Sequence, residues 1–243
     1  MTWLSFIFAL GFVSIHLFSK SLKLMKVLPR SRFLSVVGGI SVAYVFLHLL
    51  PELSIFQKDL QGELRNSGLL FIENHIYLIA MIGLVVFYAL ENSVTVSKKK
   101  NKHAETPKAA IGIFWLHIAS FTLYNGIIGY LLVREEYGNP WGMTLFFIAM
   151  GVHFITNDKG LRATHQEDYD RYGRWLLAAA ILIGWGIGAF AEVHEWIISV
   201  LTAFLAGGVI LNVLKEELPE ERESSLLAFC VGLISYSILL LLL

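Results

Sequence analysis

The chain has 243 residues, 56% of them hydrophobic and 16% charged, and its 19 basic and 19 acidic residues cancel. At a mean hydropathy of +0.65 it carries more apolar surface than a soluble domain of this size buries, so it reads as an all-α polytopic membrane protein. No basic surplus exists to engage nucleic acid, which is excluded as a partner. The lone Cys230 excludes an intrachain disulfide and a thiolate zinc cluster.

Eight segments approach the roughly 20 apolar residues that one crossing requires: 3–19, 33–50, 69–90, 109–133, 141–157, 175–191, 196–214 and 225–243. The first lacks a basic start and a small-residue cleavage site, so it reads as a retained helix and not a signal peptide. Trp3, Trp141, Trp175 and Trp196 stand at segment ends as an interfacial belt. Cys230, inside the eighth segment, reads as a small buried hydrophobe. Connections are short, which leaves one membrane domain over 1–243, and the basic run at 98–103 reads as a solvated loop. Sixteen of the Lys and Arg residues fall on one side of the eight crossings. Lys58, Arg65 and Arg134 alone fall on the other. Basic loops stay inside, so both termini are expected on the outer face.

The second and seventh segments share a phrase. Paired glycines open each (Gly38 and Gly39; Gly207 and Gly208), and Leu-Pro-Glu closes each (Leu50, Pro51, Glu52; Leu218, Pro219, Glu220). Aligned on that ending, His48 falls opposite Glu216. The second segment runs outward and the seventh inward, so the shared phrase lies on antiparallel helices, as an inverted repeat of helices 1–3 and 6–8 requires. The first three-helix repeat then covers 1–95, the central helices 4 and 5 cover 109–158, and the second repeat covers 175–243. Pro51 and Pro219 read as helix terminators.

These residues, with eight crossings and a basic loop between the third and fourth, resemble the ZIP (Zrt/Irt-like) family of divalent metal transporters. The strongest local matches run from Phe46 to Glu52 and from Ala206 to Glu220. The resemblance implies a 3+2+3 bundle of eight transmembrane helices. It also implies a metal path on helices 4 and 5, and an elevator or rocking motion of helices 1, 4, 5 and 6 against the rest.

On helices 4 and 5 the chain departs from the family. Where the family carries His-Asn-x-x-Asp-Gly, this sequence has Phe121, Thr122, Leu123, Tyr124, Asn125 and Gly126. Where it carries His-Glu-x-Pro-His-Glu, the sequence has His153, Phe154, Ile155, Thr156, Asn157 and Asp158. Two carboxamides and one imidazole form a neutral, weak set for an ion that prefers imidazole, carboxylate or thiolate at about 2.0–2.3 Å. Asp158 supplies charge but points about 100° away from Asn157. Phe154 cannot bridge two metals.

The candidate metal or solute path is therefore His153, Asn157, Asp158, Asn125 and His117. His153 and Asn157 share a helix face at i, i+4, and His117, Phe121 and Asn125 form a stripe on helix 4. These polar residues either contact a solute or tie helices together by hydrogen bonds. His48, Glu52, Glu216, Glu217 and Glu220 are candidate vestibule residues that gather cations, or charges that simply reach interfacial water. Glu192, His194 and Glu195 form an outer cluster. His165, Glu167, Asp168 and Asp170 lie in the expected inner loop 5–6, while Glu73, His75 and Glu91 read as boundary residues. Gly38, Gly39, Gly184, Gly186, Gly188, Gly207 and Gly208 permit close helix approach.

No Ser-His-Asp order, His-Glu-x-x-His helix or phosphate-cradling loop occurs, so an enzyme is not expected. The functional expectation is a divergent transporter, with a divalent metal cation such as zinc as cargo and no resident cofactor. The competing expectation is a transport-inactive scaffold or partner subunit of the same fold. The lipid bilayer is the expected partner, and the sequence leaves room for a homodimer.

Overall fold

The computed structural model describes residues 2–19, 30–64, 75–100, 111–134, 139–191, 193–217 and 225–242. Every regular element among them is helical. In chain order these are α1 (Thr2–Phe18), α2 (Arg30–Tyr44), α3 (Leu50–Leu64), α4 (Ile76–Lys100), α5 (Ile111–Arg134), α6 (Pro140–Asp168), α7 (Arg174–Phe190), α8 (Glu195–Glu217) and α9 (Leu226–Leu241). Five stretches are long and apolar enough to cross a membrane: Arg32–Lys58, Ile76–Ser97, Ile111–Arg134, Pro140–Phe190 and Glu195–Lys215. This is the make-up of a multi-pass α-helical membrane protein; α1 and α9 are shorter apolar helices.

Three helices run further than the sequence suggests: α4 continues to Lys100, into the basic run expected as a loop, and two others extend through a π-turn. Between α2 and α3, residues Val45–Leu49 widen by one residue per turn, and the Leu50 amide bonds the Val45 carbonyl. The widening precedes Pro51, which has no N–H to give and whose ring crowds the carbonyl four residues back. Pro51 therefore does not terminate its helix, which continues to Leu64. Pro219 lies outside the described residues. Between α6 and α7 a second π-turn, Tyr169–Gly173, joins the two helices, and the Arg174 amide bonds the Tyr169 carbonyl. The expected inner loop 5–6 is thus helical.

What breaks the long Pro140–Phe190 stretch is Gln166, whose φ of 50° and ψ of −118° lie outside helical space. A side chain in such backbone costs on the order of 1 kcal/mol. Gln166→Gly is expected to raise the free energy of unfolding in detergent by about 1 kcal/mol. An unchanged or lower stability would mean that the residue is not strained.

By packing, the chain divides into two compact units, one of Met1–Leu22 with Ala89–Glu192 and one of Lys23–Tyr88 with Val193–Leu243. The first holds α1, α5, α6, α7 and the end of α4. The second holds α2, α3, α8, α9 and the start of α4.

Within each unit, glycines set the helix contacts. In the first, α5 packs on α7 along Gly126, Gly129, Gly184 and Gly188, where a side chain would meet backbone of the facing helix. Gly11 of α1 faces the Phe147 ring of α6, and Gly151 of α6 faces Ile15 and Phe12 of α1. In the second unit, Gly39 of α2 abuts the Phe229–Leu233 backbone of α9, and Gly232 of α9 abuts Val36. Gly83 of α4 meets Phe204 of α8, while Gly207 and Gly208 of α8 meet Ala80 and Phe87. Of the glycines singled out for packing, Gly186 faces open space instead.

Helix termini in the first unit are tied by side chains. Asn139 caps α6 by accepting from the amides of Trp141 (2.9 Å) and Gly142 (3.0 Å), with Pro140 at the first helical position. Arg134 donates to the Gly188 carbonyl at 2.6 Å and the Ala191 carbonyl at 2.9 Å. A cation there complements the negative end of α7.

Candidate functional site

Asn125 of α5 and Asp158 of α6 do not face one another directly. They meet through a residue from α1. His16 is 0% exposed, Asp158 0% and Asn125 1%. His16 Nε2 lies 2.8 Å from Asn125 Oδ1, and His16 Nδ1 lies 2.9 Å from Asp158 Oδ1. Asn125 also donates from Nδ2 to the Phe121 carbonyl at 2.8 Å. That bond fixes the carboxamide: its nitrogen must face the carbonyl, so its oxygen faces His16. His16 Nε2 therefore carries a proton. On the other edge, a lone pair on Nδ1 and a carboxylate oxygen cannot stand 2.9 Å apart without a hydrogen between them, so imidazole and carboxyl share one. The arrangement is net neutral, as burial in a low-dielectric interior demands.

Aromatic rings wall the triad. Phe154, buried itself, lies with its centroid 4.7 Å from that of His16, and Phe12 lies 5.0 Å from Phe154. Phe154 stands where the family resemblance puts a bridging glutamate, and here it gives the imidazole an apolar neighbour. Phe121, at the other replaced position, joins a core cluster with Phe114, Ile118, Leu161, Tyr169 and Leu177. Asp158 Oδ2 makes no close hydrogen bond among the described residues. The Tyr169 phenol is within its electrostatic reach.

His153 and Asn157 pair with each other, as their i, i+4 spacing allows, with Asn157 Nδ2 donating to His153 Nε2 at 3.1 Å. Asp158, one residue on, faces α1 instead, so the expected rotation of about 100° separates the two. The Tyr124 ring lies 5.7 Å from that of His153. His117 belongs to another cluster: its Nδ1 is 2.9 Å from His165 Nε2, and its Nε2 is 3.4 Å from Glu91 Oε1. Glu91 is therefore more than a boundary residue, and His165 is buried, not looped into solvent. Among the described residues, no group of three or more His, Cys, Asp or Glu is disposed to hold a metal ion.

Of the vestibule candidates, His48 and Glu52 come together at the first π-turn, Nε2 to Oε2 at 3.7 Å, half-buried. The side chains of Glu216 and Glu217, and all of Glu220, lie outside the described residues, as do Glu73 and Glu192. His194, Glu195 and His75 are exposed. Asp170 accepts from Arg162 at 2.8 Å, and Arg162 also donates to Ser19 at 3.1 Å.

Sequence reasoning passed over His16. The signal was present: it is the one ionisable residue in the apolar stretch Thr2–Phe18, and an ionisable side chain inside a crossing calls for a partner. Comparison with known protein families, curated proteins and solved structures found no match.

Proposed function

We propose that the chain is a ZIP-like membrane transporter of a divalent metal cation, with a weak, non-standard site on its fourth and fifth crossings. The observation that carries the reading is the buried polar triad of His16, Asn125 and Asp158. Polar groups inside a crossing are costly and are kept where solutes pass. The division into units adds support, since α1, α5, α6 and α7 are crossings 1, 4, 5 and 6, the group that the resemblance assigns to the moving part.

Eight crossings in a 3+2+3 inverted repeat are part of the same proposal. Exchanging crossings 1–3 with 6–8, and 4 with 5, turns the α2–α9 contact into the α8–α4 contact. The same exchange turns the α1–α6 contact into the α7–α5 contact, and glycines sit in all four. Paired contacts of this kind are what duplicated halves produce. The asymmetry of Lys and Arg supports termini on the outer face.

Zinc uptake into proteoliposomes tests the function. Asp158→Asn and His153→Ala are each expected to cut the initial rate at least about tenfold, the loss that follows from roughly 1.4 kcal/mol at a rate-determining contact. Equal rates in both variants and the parent would take these residues out of the path. A second reading, a transport-inactive scaffold, is favoured by one observation: His16 already occupies one oxygen of Asn125 and one of Asp158. Stabilisation of the detergent-solubilised chain by micromolar zinc would count against it.

A further inference from the structure

The oxygens of Asn125 and Asp158 lie on two different helices and point at opposite edges of one imidazole ring. Their spacing is an imidazole wide. A bare metal ion needs oxygens at about 2.0–2.2 Å on each side and could not touch both at once. A planar cation with two opposed N–H donors fits, because each edge meets an acceptor and the positive ring meets a buried carboxylate. Phe154 supplies the apolar wall such a ring prefers.

We propose that Asn125 and Asp158 form a binding site for a planar imidazolium-type cation, and that His16 fills it as a tethered occupant, keeping it shut to other cations. The inference deepens the transport reading, on which its consequence for flux rests: a cargo ion reaches Asp158 only after the His16 ring has swung away. The site itself stands or falls on binding alone. Three features of the triad carry it. Asn125 is locked oxygen-inward by its bond to the Phe121 carbonyl. Asp158 is fully buried. Its carboxyl also has the Tyr169 phenol within reach, a neutral group that brings no positive charge.

His16→Gly removes the ring and leaves both oxygens in place. Free imidazole, at about 100 times its dissociation constant, is then expected to raise the unfolding midpoint in detergent by about 5 °C. The parent chain should not respond, His16→Gly/Asp158→Asn should need about fivefold more imidazole for the same shift, and zinc should not replace imidazole. Stabilisation by zinc in place of imidazole, or by neither, overturns the proposal. Should His16→Gly not fold, His16→Gln decides through a double-mutant cycle. That variant keeps a donor toward Asn125 but brings no positive charge, so adding Asp158→Asn should restore part of the lost stability. Additive losses overturn the proposal. Zinc flux separates the site from the transport reading. Flux through His16→Gly that imidazole suppresses supports the closed-site role. Imidazole stabilisation with no flux in any variant keeps the site and removes the transporter.

Discussion

Replacing His16 by alanine is expected to lower the free energy of unfolding by about 3–5 kcal/mol, the range measured when one partner of a buried charged pair is removed. Three costs coincide. Asp158 keeps a carboxylate with no counter-charge at 0% exposure. Asn125 Oδ1 loses the donor that it met at 2.8 Å, and an unmet buried acceptor costs about 1–3 kcal/mol. The vanished ring also leaves a cavity beside Phe154 and Phe12. The mirror substitution is much milder. Asp158→Asn keeps the shape and can donate from its carboxamide nitrogen to a neutral His16 Nδ1, so about 1 kcal/mol is expected. Denaturant titration of the two variants in detergent reads the asymmetry. Equal losses would show that His16 and Asp158 are ordinary hydrogen-bond partners without a shared charge.

The same triad shows how far sequence carries. That helices 4 and 5 hold the polar residues was legible from composition, because Asn and Asp in an apolar run stand out. That Asp158 turns away from Asn157 followed from helix geometry alone. What joins them was not legible. His16 and Asp158 are 142 positions apart, and no local pattern on α1 says which neighbour its histidine meets. His117 with His165, 48 positions apart, is the same case. Candidate residues are a property of one helix, whereas partners are a property of packing between helices.

Helix extents failed for a related reason. Pro51 and the charged run around Asp168 are local stop signals, and both were overridden by register shifts: a π-turn over Val45–Leu49 and another over Tyr169–Gly173. A π-turn changes which carbonyl each amide meets without changing composition, so a reading based on residue preference does not see it. The paired glycines were better signals, since close helix approach needs the missing side chain itself.

Gly184→Ala is the second large effect expected, a loss of about 3 kcal/mol, at the upper end of overpacking penalties. The added methyl would land on the Gly126 carbonyl of the facing helix. Backbone cannot rotate aside as a side-chain tip can, so α5 and α7 must part along a contact that Gly129 and Gly188 also tighten. Parting them moves Asn125, one residue from Gly126, away from His16, and the packing loss then reaches the polar triad. Two neighbours provide the controls. At Gly126 the nearest atom to an added methyl is the Ala180 carbonyl at 3.8 Å, an ordinary contact, and at Gly186 nothing lies within 4 Å. Gly126→Ala should therefore be nearly neutral, and Gly186→Ala should gain up to about 1 kcal/mol from helix preference. Thermal unfolding of the three variants in one detergent gives the ranking. If Gly184→Ala melts with the other two, the α5–α7 contact is looser than described, and the fixed spacing of Asn125 and Asp158 around His16 loses its frame.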